Sequence, residues 1–174
     1  MFLMERLDYK PRDKNKKMEQ ALLIVGLDKS YLNKNIYHLS TGEKKLLQIA
    51  VSLIHNPNII IFDEPFVELD LTNQRKLIRL IKMLKEKYEK TVIISSNNSD
   101  MLYEITDDMI ILKNGNVLLA DTTSKVYQNI KELEKNDIEI PNLVMFTKLA
   151  KDKKVKLTYH KDIRDLIKDV YKHV

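Results

Sequence analysis

With 174 residues, 44% of them hydrophobic and 32% charged, the chain has the makeup of a folded globular protein and is too apolar for wholesale disorder. The net charge of +5 is compatible with nucleic acid or an anionic membrane surface, but the lysines run along the whole chain and cluster only at residues 14–17 and 151–156, the pattern of solvated helix faces. The absence of cysteine excludes disulfides, thiolate metal sites and Cys nucleophiles, and the four scattered histidines offer no zinc spacing. The longest apolar runs, residues 21–25 and 59–62, fall far short of the roughly 18–20 residues that cross a bilayer. Residues 1–10 lack a signal-peptide layout, so a cytosolic protein with no transmembrane segment is expected.

In chain order, residues 13–25 place Met18, Ala21, Leu22 and Val25 at helical spacing, and Gly26 supplies the C-cap. Residues 44–56 repeat apolar side chains every 3.6 positions, through Leu46, Ile49, Ala50 and Leu53, until Asn56-Pro57-Asn58 stops the helix. Ile59-Ile60-Ile61-Phe62 is a continuous apolar run, the pattern of a strand buried on both faces of a parallel sheet. A helix over residues 72–88 with Leu77, Ile81 and Leu84 on one side leads into a strand at residues 91–95, which makes a parallel unit with a right-handed crossover. A short helix at 99–105 precedes two apolar runs, 109–112 and 117–120, joined by Asn114-Gly115, a strong hairpin signal. The tail from Thr122 reads as three helices, the first capped by Ser124 and the second beginning with Pro141 at its first position.

Chemistry concentrates where strands end and helices begin. The strand at 59–62 delivers two adjacent carboxylates: Asp63 is a candidate Mg²⁺ ligand, and Glu64 a candidate to orient or deprotonate an attacking water in phosphoryl transfer. Asp-Glu-Pro is equally good turn chemistry. Ser40-Thr41-Gly42-Glu43 stands before the helix at 44–56. A capping box accounts for Ser40 and Glu43, and leaves Gly42 unexplained. The same helix start offers amide donors and a positive dipole end to a phosphate.

Leu39 to Glu43, Asp63 to Pro65, and Val67-Glu68-Leu69-Asp70 resemble, in order and spacing, the signature, Walker B and D-loop segments of ATP-binding-cassette (ABC) ATPases. The resemblance implies an α/β fold, part of the RecA-like P-loop NTPase core, with a helical N-terminal part and a helical C-terminal extension. It divides the chain into a signature-bearing helical remnant at 1–56, a partial core at 57–121 and an extension at 122–174. It assigns ATP and Mg²⁺ as cofactors. Ser40, Thr41, Gly42 and Glu43 would face ATP held by an opposite subunit, Asp63 would hold Mg²⁺, Glu64 would be catalytic, and Asp70 would sit at the dimer interface. Asp70 is an equally good helix N-cap. Residues 133–141, Leu-Glu-Lys-Asn-Asp-Ile-Glu-Ile-Pro, resemble the extension of energy-coupling factor ATPases, which power uptake of vitamins and metals.

The pattern breaks in two places. The chain has three glycines, none in the G-x-x-x-x-G-K-[ST] setting of a phosphate-gripping loop, so Walker A is absent, and so is the Q-loop glutamine. The H-loop histidine position falls on Asn97, whose amide can bond a phosphate oxygen but cannot become cationic. By the family's strand order, the missing P-loop strand would separate the strands at 91–95 and 109–112. An isolated chain is therefore expected to be marginal, or to rearrange to close the gap.

The function implied is a nucleotide-binding subunit of an ABC importer, working with a second ABC ATPase subunit and an integral membrane subunit at the cytosolic face of the cell membrane. Two alternatives stand beside it: a non-catalytic remnant or binding module, and a DNA-maintenance ATPase. The last would need long heptad coiled coils, which nothing in the chain resembles, and no specific nucleic-acid partner is expected.

Overall fold

A computed structural model describes residues 11–172. Residues 1–10, where no signal-peptide layout was read, and residues 173–174 lie outside the described residues. The chain divides into two compact units, the first reaching to Ser95 and the second starting at Ser96.

The first unit opens with α1 (Pro11–Ile24), which buries Ala21 and Leu22. Gly26, at φ +79°, ends it in the left-handed region that a side chain resists. The Leu27 N–H then closes the helix on the Leu22 carbonyl at 2.9 Å, the bond of a Schellman cap. Two short 3₁₀ turns, Lys29–Leu32 and Ile36–His38, lead to α2 (Thr41–Leu53). This helix buries Leu46, Ile49, Ala50 and Leu53, the spacing of a single helical face.

Strand β1 (Ile59–Asp63), helix α3 (Leu71–Glu86) and strand β2 (Thr91–Ser95) form the expected parallel unit. The two strands pair in register from Ile59 opposite Thr91 to Asp63 opposite Ser95. Helix α3 buries Leu77, Ile78, Leu80, Ile81 and Leu84. Burial of β1 on both faces is not found: Ile60 and Phe62 are buried, whereas Ile59 and Ile61 are 58% and 70% exposed, as is Ile93 at 51%. A strand covered on both sides needs a layer on each, and this two-stranded sheet has one apolar face left open.

In the second unit, α4 (Ser99–Ile105) precedes the hairpin of β3 (Asp108–Lys113) and β4 (Asn116–Thr122), antiparallel as expected. Its turn residues, Asn114 and Gly115, have φ of 51° and 75°, the two positive values that a two-residue hairpin turn requires. Among the described residues the tail has four helices rather than three: α5 (Thr123–Gln128), α6 (Ile130–Lys135), α7 (Asn142–Asp152) and α8 (Ile163–Tyr171). Asn129 leaves helical geometry at ψ 50°, with its side-chain amide turned back on the Lys125 carbonyl, and splits the first expected helix in two. Ser124 is not the cap: Thr122 occupies that position and makes no side-chain cap bond. Pro141 is itself the N-cap, so α7 begins one residue later than expected, with the Asn142 N–H donating to Asp100 at 2.7 Å. Tyr103, Tyr127, Ile130, Leu133 and Val144 form this unit's core. The four described strands make two separate two-stranded sheets, so the expected rearrangement does not take the form of one continuous sheet.

Candidate functional site

Ser40 stands at the N-cap of α2 with extended backbone. Its Oγ accepts from the Glu43 N–H at 3.3 Å, while Glu43 Oε2 accepts from the Ser40 N–H at 2.8 Å, which is the capping box read from the sequence. The second carboxylate oxygen of Glu43 accepts from the Tyr31 hydroxyl. These bonds stabilise the ionised form, the Tyr31 bond most of all, and hold the Glu43 pKa down to about 2. Ser40 and Thr41 stay exposed at the helix start, where the first-turn amides have no intrahelical acceptor.

Gly42 is buried, and the structure supplies the reason that capping left open. A Cβ built on it would lie 2.5 Å from the side-chain nitrogen of Asn73, in the first turn of α3. Asn73 is itself held by Asp70, the N-cap of α3, which accepts from the Asn73 backbone N–H at 2.8 Å and from its side chain at 3.0 Å. The segment resembling a signature thus packs on the first turn of α3, the helix that Asp70 of the D-loop-like segment caps.

Strand β1 delivers Asp63 and Glu64 to its C-terminal end. The Asp63 carboxylate accepts from the hydroxyl of Ser95, its register partner on β2. Glu64 leaves the strand at φ 41°, unusual for a residue with a Cβ, and its N–H donates to the Ser95 carbonyl at 2.9 Å. From α2, the Lys45 ammonium approaches the Glu64 carbonyl at 3.3 Å and the Val67 carbonyl at 3.5 Å. An open cleft of about 380 Å³ lies beside β1, with Lys45, Ile59, Ile61 and Asp63 among its lining.

Ser40, Thr41, Gly42, Glu43, Asp63, Glu64 and Asp70 therefore all belong to the first unit, cross-linked through Asn73 and Lys45. Asn97 belongs to the second unit, just before α4. Tyr31, Lys45, Asn73 and Ser95 escaped the sequence reading. Ser95 was recoverable, because it ends a parallel strand in register with Asp63; Tyr31 lies twelve residues from Glu43 in a short 3₁₀ turn and carries no signal. Among the described residues, no group of three or more acidic or histidine side chains could enclose a metal ion. The single exposed carboxylate of Asp63 still fits Mg²⁺, which takes one or two carboxylates and completes its shell with water and phosphate oxygens.

A family model described as "AAA domain, putative AbiEii toxin, Type IV TA system" matches residues 9–98, just over half of the chain and every site residue above. The chain belongs to this family. Its relatives are ATP-binding-cassette proteins. It is 30% identical over 159 residues to the energy-coupling factor transporter ATP-binding protein EcfA2 of Mycoplasma mobile, covering 91% of this chain and 51% of that protein. It is 32% identical over 133 residues to the EcfA2 protein of Caldanaerobacter subterraneus, covering 76% and 46%. Among solved structures, the ATP-binding cassette MJ0796, a dimer bound to ADP and Pi, superposes with a TM-score of 0.59 at 27% identity, covering 68% of this chain and 50% of that one. The cbiO1 protein of Clostridium perfringens, part of the ABC transporter complex cbiONQ, shares the fold at a TM-score of 0.65 and 24% identity, covering 84% and 58%. The chain spans about half the length of the curated relatives it matches. Over that span its α/β fold is that of an ABC cassette, and among the described residues no helix is long and apolar enough to cross a membrane.

Proposed function

We propose that the chain is an ATP-hydrolysing subunit of an ABC-type importer of the energy-coupling factor kind, supplying the signature and Walker B walls of a dimeric ATP site. The partners are a second ABC ATPase subunit and an integral membrane subunit at the cytoplasmic face of the membrane. The observation that carries this reading is the convergence of three motif-like segments in one unit: Gly42 packed on Asn73 beside Asp70, and Lys45 joined to the Glu64 turn.

In this reading, the exposed Ser40 hydroxyl and the amides around Gly42 face the γ-phosphate of ATP held by the opposite subunit, a helix N-terminus being suited to an anion. Asp63 holds Mg²⁺ at the strand end, and Glu64 orients the attacking water and takes up its proton. Mg²⁺ held by Asp63 would supply charge neutralisation to the triphosphate. Asp70 stands at the subunit interface, and Asn97 occupies the H-loop position with an amide that can donate but not carry a positive charge.

The test is ATPase activity on mixing the chain with full-length EcfA2 of Mycoplasma mobile. The expected outcome is stimulation of the partner's turnover that Ser40→Arg abolishes. Stimulation that survives Ser40→Arg defeats the reading. A second reading, a non-catalytic binding module, is favoured by one specific feature: no G-x-x-x-x-G-K-[ST] segment occurs in the 174 residues. It predicts binding to the same partner with turnover unchanged.

A further inference from the structure

We infer that Lys45 is a positioning residue, which sets the geometry of the Glu64 turn from the helix that begins at Ser40; this rests on the proposed catalytic role of Glu64. The starting observation is backbone strain. Glu64 sits at φ 41°, a region that side chains resist and that persists only where surrounding contacts over-determine it. On the amide side, sheet geometry provides that contact, since the Glu64 N–H donates to the Ser95 carbonyl at the end of β2.

On the carbonyl side the contact comes from Lys45. The turn closes through the Val67 N–H on the Glu64 carbonyl at 3.4 Å, and that carbonyl has room for a second donor. The Lys45 ammonium reaches that carbonyl at 3.3 Å and the Val67 carbonyl at 3.5 Å. A compact cation with three rotatable donors can bind two carbonyls at once, which a methionine side chain of similar length, having no donor, cannot. One charge thereby reaches the carbonyls at both ends of the four-residue turn from Glu64 to Val67.

The anchor point matters as much as the bond. Lys45 lies five residues after Ser40 on α2, and the buried residues Leu46, Ile49 and Ala50 lock that helix into the core. The start of the same helix is pinned on Asn73 through Gly42. In functional terms, the helix serving the partner's nucleotide is mechanically joined to the chain's own candidate base.

The experiment uses the full chain without nucleotide, so its failure is separable from failure of the ATPase reading, which Ser40→Arg tests. Amide hydrogen exchange at Val67 and Leu69 and the carbonyl ¹³C shifts of Glu64 and Val67 are followed in wild type, Lys45→Met and Lys45→Arg. Lys45→Met is expected to speed exchange at Val67 and Leu69 by about tenfold and to move both carbonyl resonances, with the amides of residues 77–84 in α3 unaffected. Lys45→Arg, which keeps the charge, is expected to restore the wild-type pattern. Unchanged exchange in Lys45→Met overturns the inference. A parallel loss of protection across α3, or an Arg variant that behaves like Met, also overturns it, because each assigns Lys45 a packing role.

Discussion

A methyl group at residue 42 would meet the Asn73 amide at 2.5 Å, and Asn73 cannot swing away cheaply because Asp70 holds both its backbone and its side chain. Gly42→Ala is therefore expected to cost about 1–3 kcal/mol, the scale of overpacking in a filled site. Urea unfolding measures it, and adding Asn73→Ala should return most of the loss; a double variant as unstable as the sum of the singles would place the strain elsewhere. Glu43 makes the matching electrostatic case. Its folded pKa of about 2 lies below the ordinary 4.5, so its bonds contribute stability in full above about pH 4.5, and that contribution is lost as pH falls from there through about 2. Because the Tyr31 bond is the largest cause, Tyr31→Phe should raise the Glu43 pKa toward its ordinary value, as read by carboxyl ¹³C titration. A midpoint that stays near 2 would shift the credit to the Ser40 bonds.

At the scale of elements, β1 gives a sharp contrast between neighbours of identical chemistry. Ile60 is buried and Ile61 is 70% exposed. Ile60→Ala should cost about 2–5 kcal/mol and Ile61→Ala under about 1, measured as the shift in urea midpoint at constant slope. Equal losses would mean that both faces are covered. This is also where sequence reading reached its limit. Four consecutive apolar residues announce a strand but carry no alternation, so they cannot say which face is covered; that depends on how many layers the surrounding chain supplies. Local signals fared better. The capping box at Ser40, the Asn114-Gly115 turn and the Gly26 cap each follow from a few adjacent residues, and each stands where expected. The fold family was legible through three short segments in series. The side chains that join those segments were not, because Tyr31, Lys45 and Asn73 act across the fold at spacings that no periodicity marks. In the tail, Asn129 interrupts a helix with its side-chain amide donating to the Lys125 carbonyl, a competition that the apolar pattern of residues 126–133 does not record.

For the molecule as a whole, the open face of the β1–β2 sheet decides behaviour in solution. Ile59, Ile61 and Ile93 project from one side of two paired strands, and their register sets Ile61 directly beside Ile93. A sheet of two strands also leaves an unpaired edge on each, and exposed apolar surface next to free edges is a template for association. The chain is therefore expected to self-associate with rising concentration in sedimentation velocity. Ile61→Lys combined with Ile93→Glu, an opposite-charge pair at register partners, should suppress that association while leaving the unfolding free energy within about 0.5 kcal/mol, since neither side chain contributes much to the core. The two readouts divide the explanations. Association that persists in the double variant would move the contact to another surface, whereas loss of stability would show that the face is covered within the chain.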